Sequence, residues 1–218
     1  MGLDFSIIPE YSDFLVQGTL WTLALTAASM FFSITGGIVF AVLELNRHRI
    51  IRWPVSAFAW LFMGTPLLLQ LFLIYFGLVQ IGIDLNAFVA GVIALSLHFA
   101  VYNSDIIRSA IVAVDPGQFE ASRSLGLSNL QALRKVVVPQ AVANVTPALG
   151  NMMIALLKES ALVSVIGVME LTLSSQRAIS DSFRPFEFYI AAAAIYYIVN
   201  LGLEQGVRHA ERRAARYR

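Results

Sequence analysis

FLVQGTLWTLALTAASMFFSITGGIVFAVL, residues 14–43, runs for 30 residues between Asp13 and Glu44 without one Asp, Glu, Lys or Arg. At about 1.5 Å of rise per residue it exceeds the roughly 17–25 residues that a spanning helix needs. Four further charge-free runs follow: 31 residues between Arg52 and Asp84, 20 between Asp84 and Asp105, 22 between Lys135 and Lys158, and 16 between Glu187 and Glu204. The last is short, but Glu204 and Arg208 can snorkel toward the headgroups. Any one run could be a buried core helix. Five of them in 218 residues leave too little polar chain to cover such a core. The reading is an all-α membrane protein with about five transmembrane helices in a lipid bilayer.

Composition agrees. The chain is 58% hydrophobic and 13% charged, with a mean hydropathy of +0.72. A soluble domain carries about 25% charged residues. A cytosolic enzyme and a disordered chain are therefore excluded. A net charge of +1 gives no basic surface for nucleic acid, and zero cysteines exclude disulfides, Fe–S clusters and thiolate zinc sites.

Basic residues set the expected orientation. Arg47, Arg49 and Arg52 lie between the first two helices; Arg108, Arg123, Arg134 and Lys135 lie between the third and fourth; Arg208, Arg212, Arg213, Arg216 and Arg218 form the tail. Only Lys158, Arg177 and Arg184 fall on the other side, among Glu159, Glu170, Asp181 and Glu187. The first 13 residues hold Asp4, Glu10 and Asp13 and no base. This places the N-terminus outside and the C-terminus in the cytoplasm. The acidic start lacks the basic region of a signal peptide, so helix 1 is expected to be retained.

Helix 1, about 18–43, is rich in small residues (Thr19, Thr22, Thr26, Ser29, Ser33, Gly36, Gly37), which let membrane helices approach closely. Pro54 opens the second segment. Within it Gly64-Thr65-Pro66 should interrupt the helix near mid-membrane, because Pro66 clashes with the carbonyl of residue 62 and lacks an N–H. Helix 3 is expected over 87–111 and Asp115-Pro116-Gly117 as a turn. Helix 4 follows Pro139 with Pro147 inside it, 161–184 forms a mixed outer segment, and helix 5 covers about 186–207. No second domain or repeat is visible, so 1–218 reads as a single transmembrane domain.

The segment 117–140, GQFEASRSLGLSNLQALRKVVVPQ, reads as two short helices with a break. Residues 119–125 are helix-competent, Gly126 suits a left-handed C′ position, and Ser128 with Gln131 fits a capping box. A short helix projecting between two spans is either a docking element or a plain amphipathic loop.

The same segment resembles the EAA signature of ABC importer permeases, which is Glu-Ala-Ala, three residues, Gly, nine residues, Ile-x-Leu-Pro. Glu120, Ala121 and Ser122 stand first, Gly126 follows after three residues, and Val136, Val138 and Pro139 follow after nine. Ser122 replaces Ala, and Val replaces Ile and Leu. Four other stretches are similar to the polar amino acid branch of that family: GTPLLLQLFLIYFGL at 64–78, Pro139-Gln140-Ala141, LLKESALVSVIGVMEL at 156–171 and FRPFEFY at 183–189.

The resemblance implies a permease subunit of an ATP-driven importer in the bacterial cytoplasmic membrane, moving a polar amino acid or close analogue. It implies three partners: an ATP-binding subunit docked on the coupling segment (about 116–138, with Glu120, Ala121 and Gly126), an extracytoplasmic solute-binding protein, and a second permease subunit in a homo- or heterodimer. No G-x-x-x-x-G-K-[ST] phosphate loop is present, so ATP hydrolysis belongs to a partner and this chain is not itself an enzyme. Met63 stands where the branch usually has Arg before Gly-Thr-Pro. Lys158-Glu159-Ser160-Ala161-Leu162 replaces the usual Lys-Asp-Thr/Ser-Ser-Leu, and Asp105 replaces Glu.

From these residues the expected solute contacts are Gly64, Thr65 and Gln70 at the helix break, with Glu159 and Ser160 from the outer part of helix 4. Pro66 should free carbonyl acceptors; Thr65 and Gln70 supply side-chain hydrogen bonds; Glu159 can accept an α-ammonium. The opposing reading has Lys158 and Glu159 neutralising each other. Glu120, placed in the first turn of its helix, should be favoured by the helix dipole. Asp105 and Arg108 can pair at i,i+3, and Glu44 and Arg47 are expected to be solvated or locally paired. His98 has no second ligand at metal spacing and reads as a packing histidine, with no metal or cofactor expected. Trp21, Trp53 and Trp60 suit interface anchors or packing. The alternative function is an ion-coupled secondary transporter or channel subunit. Five helices without an inverted repeat do not make its usual two-fold architecture. A membrane scaffold without transport leaves the Gly-Thr-Pro break unexplained.

Overall fold

The structure, a computed structural model, describes residues 3–217. A 3₁₀ helix, Phe5–Tyr11, leads into α1, Ser12–Glu44. The 3₁₀ helix is opened by Asp4, whose carboxylate accepts from the backbone N–H of Ser6. The small residues of α1 lie on its buried face: Gly18, Thr22, Thr26, Ser29, Ser33, Gly37 and Ala41 recur at helical spacing. That face packs on α4, Ala87–Val112, in the most extensive helix pair of the molecule. A Cβ on Gly37 would stand 2.7 Å from the Asn103 Cβ and 3.2 Å from the Ala100 carbonyl oxygen, so backbone contact here requires glycine.

The second hydrophobic run does not form one helix. α2, Arg49–Met63, ends at Gly64, and α3, Leu67–Phe72, starts after Pro66 and continues as a π turn, Leu73–Gly77. The two pieces meet at 110°. α2 keeps Pro54 within it, and α4 is opened by Asn86, whose side chain accepts from Val89 N–H at 2.9 Å.

Two short helices follow: α5, Pro116–Ser124, and α6, Asn129–Ala132. Asp115 and Pro116 do not make an isolated turn. Asp115 is the N-cap of α5, accepting from Gly117 N–H at 2.8 Å, and Pro116 fills the first helical position, where its missing N–H costs nothing. Glu120 therefore falls in the second turn, behind Pro116, Gly117, Gln118 and Phe119, and the expected dipole support from the first turn does not apply. A π turn, Leu133–Val137, leads to α7, Val138–Glu159. The widened turn absorbs the hydrogen bond that Pro139 cannot donate.

A 3₁₀ segment, Ser160–Ile166, and α8, Leu171–Ser182, make up the mixed segment before α9, Pro185–Ala214, and a closing 3₁₀ turn, Ala215–Tyr217. Glu170 is fully buried and caps α8, accepting from Thr172 N–H at 2.9 Å, Leu173 N–H at 2.8 Å and the Tyr196 hydroxyl of α9 at 2.6 Å. Glu187 accepts from the backbone N–H of Asp4 at 3.1 Å and pairs with Arg184, tying the chain start to α9.

Among the described residues four helical stretches are long and apolar enough to cross a membrane, and the bent α2–α3 pair makes five if it counts as one broken span. The core gathers Leu25, Leu71, Leu95, Phe99, Leu156 and Val163 from α1, α3, α4, α7 and the following 3₁₀ segment. Many large apolar side chains face outward, as lipid or a partner helix requires: Phe31, Trp53, Trp60, Leu73 and Ile198 are all exposed.

Candidate functional site

The site grows out of the break between α2 and α3. Pro66 cannot donate to the carbonyl of Phe62, and the chain turns through Gly64, whose N–H returns to Trp60 O at 3.0 Å. Gln70, buried one turn into α3, reaches back across the gap. Its Nε2 donates to Phe62 O at 2.7 Å, to Thr65 O at 3.0 Å and to Thr65 Oγ1 at 2.9 Å. Thr65 Oγ1 in turn donates to Leu61 O at 3.0 Å. The carbonyl released by Pro66 is thus taken up by Gln70 rather than left for a solute, which corrects the expectation from sequence. The far side of the amide, Oε1, meets His98 Nδ1 of α4 at 2.9 Å.

Beside this clasp lies an open crevice of about 520 Å³ between the start of α3, the middle of α4 and the end of α7. Thr65, Pro66, His98, Tyr102, Met152 and Glu159 are on its walls. The structure brings together two of the five expected contacts there, Thr65 and Glu159. Gly64 and Gln70 shape the wall behind them. Ser160 turns the other way: it is fully buried, and its hydroxyl donates to Leu157 O at 2.6 Å. Among the described residues no ion pair joins Lys158 to Glu159, and both are exposed.

His98 and Tyr102 enter the site without having been singled out for it. Their rings touch, with centroids 5.1 Å apart. The available signal was their i,i+4 spacing on one face of a helix otherwise apolar there. Among the described residues no group of three or more His, Asp or Glu side chains could hold a metal ion.

A second crevice, about 620 Å³, opens on the other side of the break and carries Glu44, Arg52, Trp60, Met63, Asp105 and Arg108. Here Arg108 pairs with Asp105 on its own helix and with Glu44 of α1 at 3.5 Å. Glu44 is therefore tied across helices rather than solvated. Arg108 thus satisfies both Asp105 and Glu44, and Met63 adds no charge beside them.

A third feature is the α5–α6 unit. Gly126 takes φ +85°, the left-handed turn between the two helices. Arg123 Nη1 donates to Leu127 O at 2.8 Å, which braces that turn. Ser128 and Gln131 form the reciprocal capping box, with bonds of 3.3 and 2.9 Å. Glu120, Leu125 and Leu130 are exposed on the outside of the unit.

Residues 33–216 match the family model for the binding-protein-dependent transport system inner membrane component. The chain belongs to that family of permeases. It is 38% identical over 202 residues to the probable amino-acid permease protein YxeN of Bacillus subtilis, covering 91% of this chain and 90% of that protein. It is also 38% identical over 202 residues to the arginine transport system permease protein ArtQ of the same organism, covering 92% of each. Among solved structures, a crystal structure of an amino acid ABC transporter with histidines matches with a TM-score of 0.91 at 42% identity, over 98% of this permease and 100% of that chain. The permease is a multi-pass membrane subunit of an importer whose ATP hydrolysis resides in a separate ATP-binding subunit and whose solute arrives on a binding protein. An ion-coupled carrier is not favoured.

Proposed function

We propose that this permease imports a polar amino acid through the crevice at the α2–α3 break. The carrying observation is that Thr65 and Glu159, far apart in sequence, line one crevice beside the non-helical break within an apolar bent helix pair. Such backbone is tolerated only where it is buried or lines a cavity. Glu159 offers a carboxylate to a solute ammonium, and Thr65 offers an oxygen beside it. The clasp by Gln70 keeps the break rigid, so the solute meets a formed wall. The whole of 1–218 acts as one domain.

The basic ends of the helices face the cytoplasm and the N-terminus faces outward. In that orientation α5–α6 projects into the cytoplasm, and Glu120, Ala121, Leu125 and Gly126 form the surface that takes up the closing motion of the ATP-binding subunit. A second permease subunit covers part of the exposed apolar surface. The amino acid names of the relatives and the 42% identity to an amino acid transporter support this class of solute.

The test is Glu159→Gln in proteoliposomes holding the complete transporter. Uptake of the amino acid should fall at least several-fold while the subunits still co-purify. Unchanged uptake kinetics would remove Glu159 from the site.

A further inference from the structure

The role of His98 follows from the hydrogen-bond directions around Gln70. The Gln70 nitrogen lies 2.7 Å from one carbonyl oxygen and 3.0 Å from another, which fixes the amide orientation because only N–H groups can face both. Its Oε1 is then the atom toward His98, and a carbonyl oxygen only accepts. His98 Nδ1 must therefore carry the hydrogen across the 2.9 Å contact. In the neutral ring this leaves Nε2 as a bare acceptor. No hydrogen bond to Nε2 is formed among the described residues, and the ring lines the same crevice as Glu159. Thr65 has already given its hydroxyl hydrogen to Leu61 O, so it too meets a ligand as an acceptor. The Tyr102 hydroxyl is the wall group that can turn either way.

We infer that His98 is a specificity-determining residue of this site: tied by Nδ1 to the helix-break clasp, it presents Nε2 to the solute and favours amino acids whose side chains carry N–H donors. The inference rests on the crevice being the solute site. A site built to meet a donor discriminates against a near-isostere lacking it, because the buried acceptor is left unpaired. L-glutamine and L-arginine should be preferred over L-norleucine, which has no side-chain donor, and over L-glutamate, which brings acceptors. Ring placement by Gln70 makes this a selection by geometry rather than by charge alone. Glu159 by itself would attract any cation and would not separate glutamine from norleucine.

The experiment measures equilibrium binding of these four radiolabelled amino acids to the purified complex of permease and ATP-binding subunit, without binding protein. Wild type is compared with His98→Asn, His98→Gln, Thr65→Val and Glu159→Gln. Asn keeps a donor near the Nδ1 position for Gln70 but ends short of Nε2; Gln carries an amide out to the Nε2 position. The expected result is a wild-type preference for glutamine over norleucine that falls by about three- to tenfold in His98→Asn, the worth of one hydrogen bond, and is partly restored in His98→Gln. If His98→Asn does not assemble, His98→Gln carries the test, and it must retain more of the preference than His98→Phe. If both His98 variants keep the wild-type preference while Thr65→Val or Glu159→Gln weakens binding, the crevice stands and His98 has no part in selection. If none of the variants alters binding, or the wild type binds none of the four, the crevice reading falls with it.

Discussion

Replacing Gln70 by Leu isolates the clasp that holds the broken span. Leu fits the volume and keeps the helix propensity of α3, so the change removes hydrogen bonds and little else. Phe62 O, Thr65 O, Thr65 Oγ1 and His98 Nδ1–H each lose their bond to Gln70; Phe62 O keeps only the long 3.5 Å bond from Thr65 N–H, and Thr65 Oγ1 keeps its bond to Leu61 O. Gln70 is only 4% exposed, so Phe62 O has no ready water to replace it. An unsatisfied buried polar group costs about 1–3 kcal/mol. Thr65 and His98 border the crevice and can recover part of theirs from water. The net loss at the break is then roughly 1–2 kcal/mol, most of it at Phe62 O. Amide hydrogen exchange reads this locally. The N–H groups of Gly64 and Thr65, bonded to Trp60 O and Phe62 O, report the opening of the break. At about 1.4 kcal/mol per tenfold, their exchange should accelerate roughly 5- to 30-fold in Gln70→Leu. Amides in the middle of α9, far from the break, should be unchanged. If Gly64 and Thr65 keep wild-type protection, Pro66 and the surrounding packing hold the bend unaided, and Gln70 is not its clasp.

Three further outcomes are expected. Gly126→Val places a β-branched residue at φ +85°, where a non-glycine residue costs about 1–2 kcal/mol or more; membrane levels should match wild type while co-purification with the ATP-binding subunit, or ATP-driven uptake, drops several-fold in the same vesicles. Glu170→Ala removes the α8 cap, worth about 0.5–2 kcal/mol, and leaves the Tyr196 hydroxyl with only its 3.3 Å contact to the Thr172 hydroxyl; the thermal midpoint of the detergent-solubilised protein should fall, and Glu170→Gln should lose less. Gly37→Leu drives a side chain into Asn103 and the α4 backbone, so folded yield by size-exclusion chromatography should collapse, whereas Gly206→Leu, with nothing within 4 Å of its Cβ, should be tolerated.

Element type and order were legible because the apolar runs are long and the break residues are Gly and Pro. Helix ends were less so. α1 begins at Ser12 and α9 continues to Ala214, since a charged residue does not end a helix once the backbone bonds continue into the headgroup region. Asp115-Pro116 suits a turn and a helix start equally well from sequence, and only the cap bond to Gly117 decides between them. The place of Thr65 and Glu159 on the crevice was legible from the Gly-Thr-Pro break and from the polar end of a long apolar run. The roles of Gln70 and Ser160 were not. Both are polar, but Ser160 spends its hydroxyl on a backbone carbonyl and Gln70 spends its amide on the break carbonyls, Thr65 and His98, a choice set by rotamer and packing. His98 was read as packing because its partner is 28 positions away and becomes adjacent only when α3 folds onto α4.

Amino acid translocation by this permease should depend on a separate ATPase. The direct measurement is uptake of radiolabelled L-glutamine and L-arginine into proteoliposomes holding the permease with its ATP-binding subunit and solute-binding protein, against vesicles holding the permease alone. Uptake should require all components and hydrolysable ATP, and should vanish with a non-hydrolysable analogue. Concentrative uptake by the permease alone, driven by an ion gradient without ATP, contradicts the account.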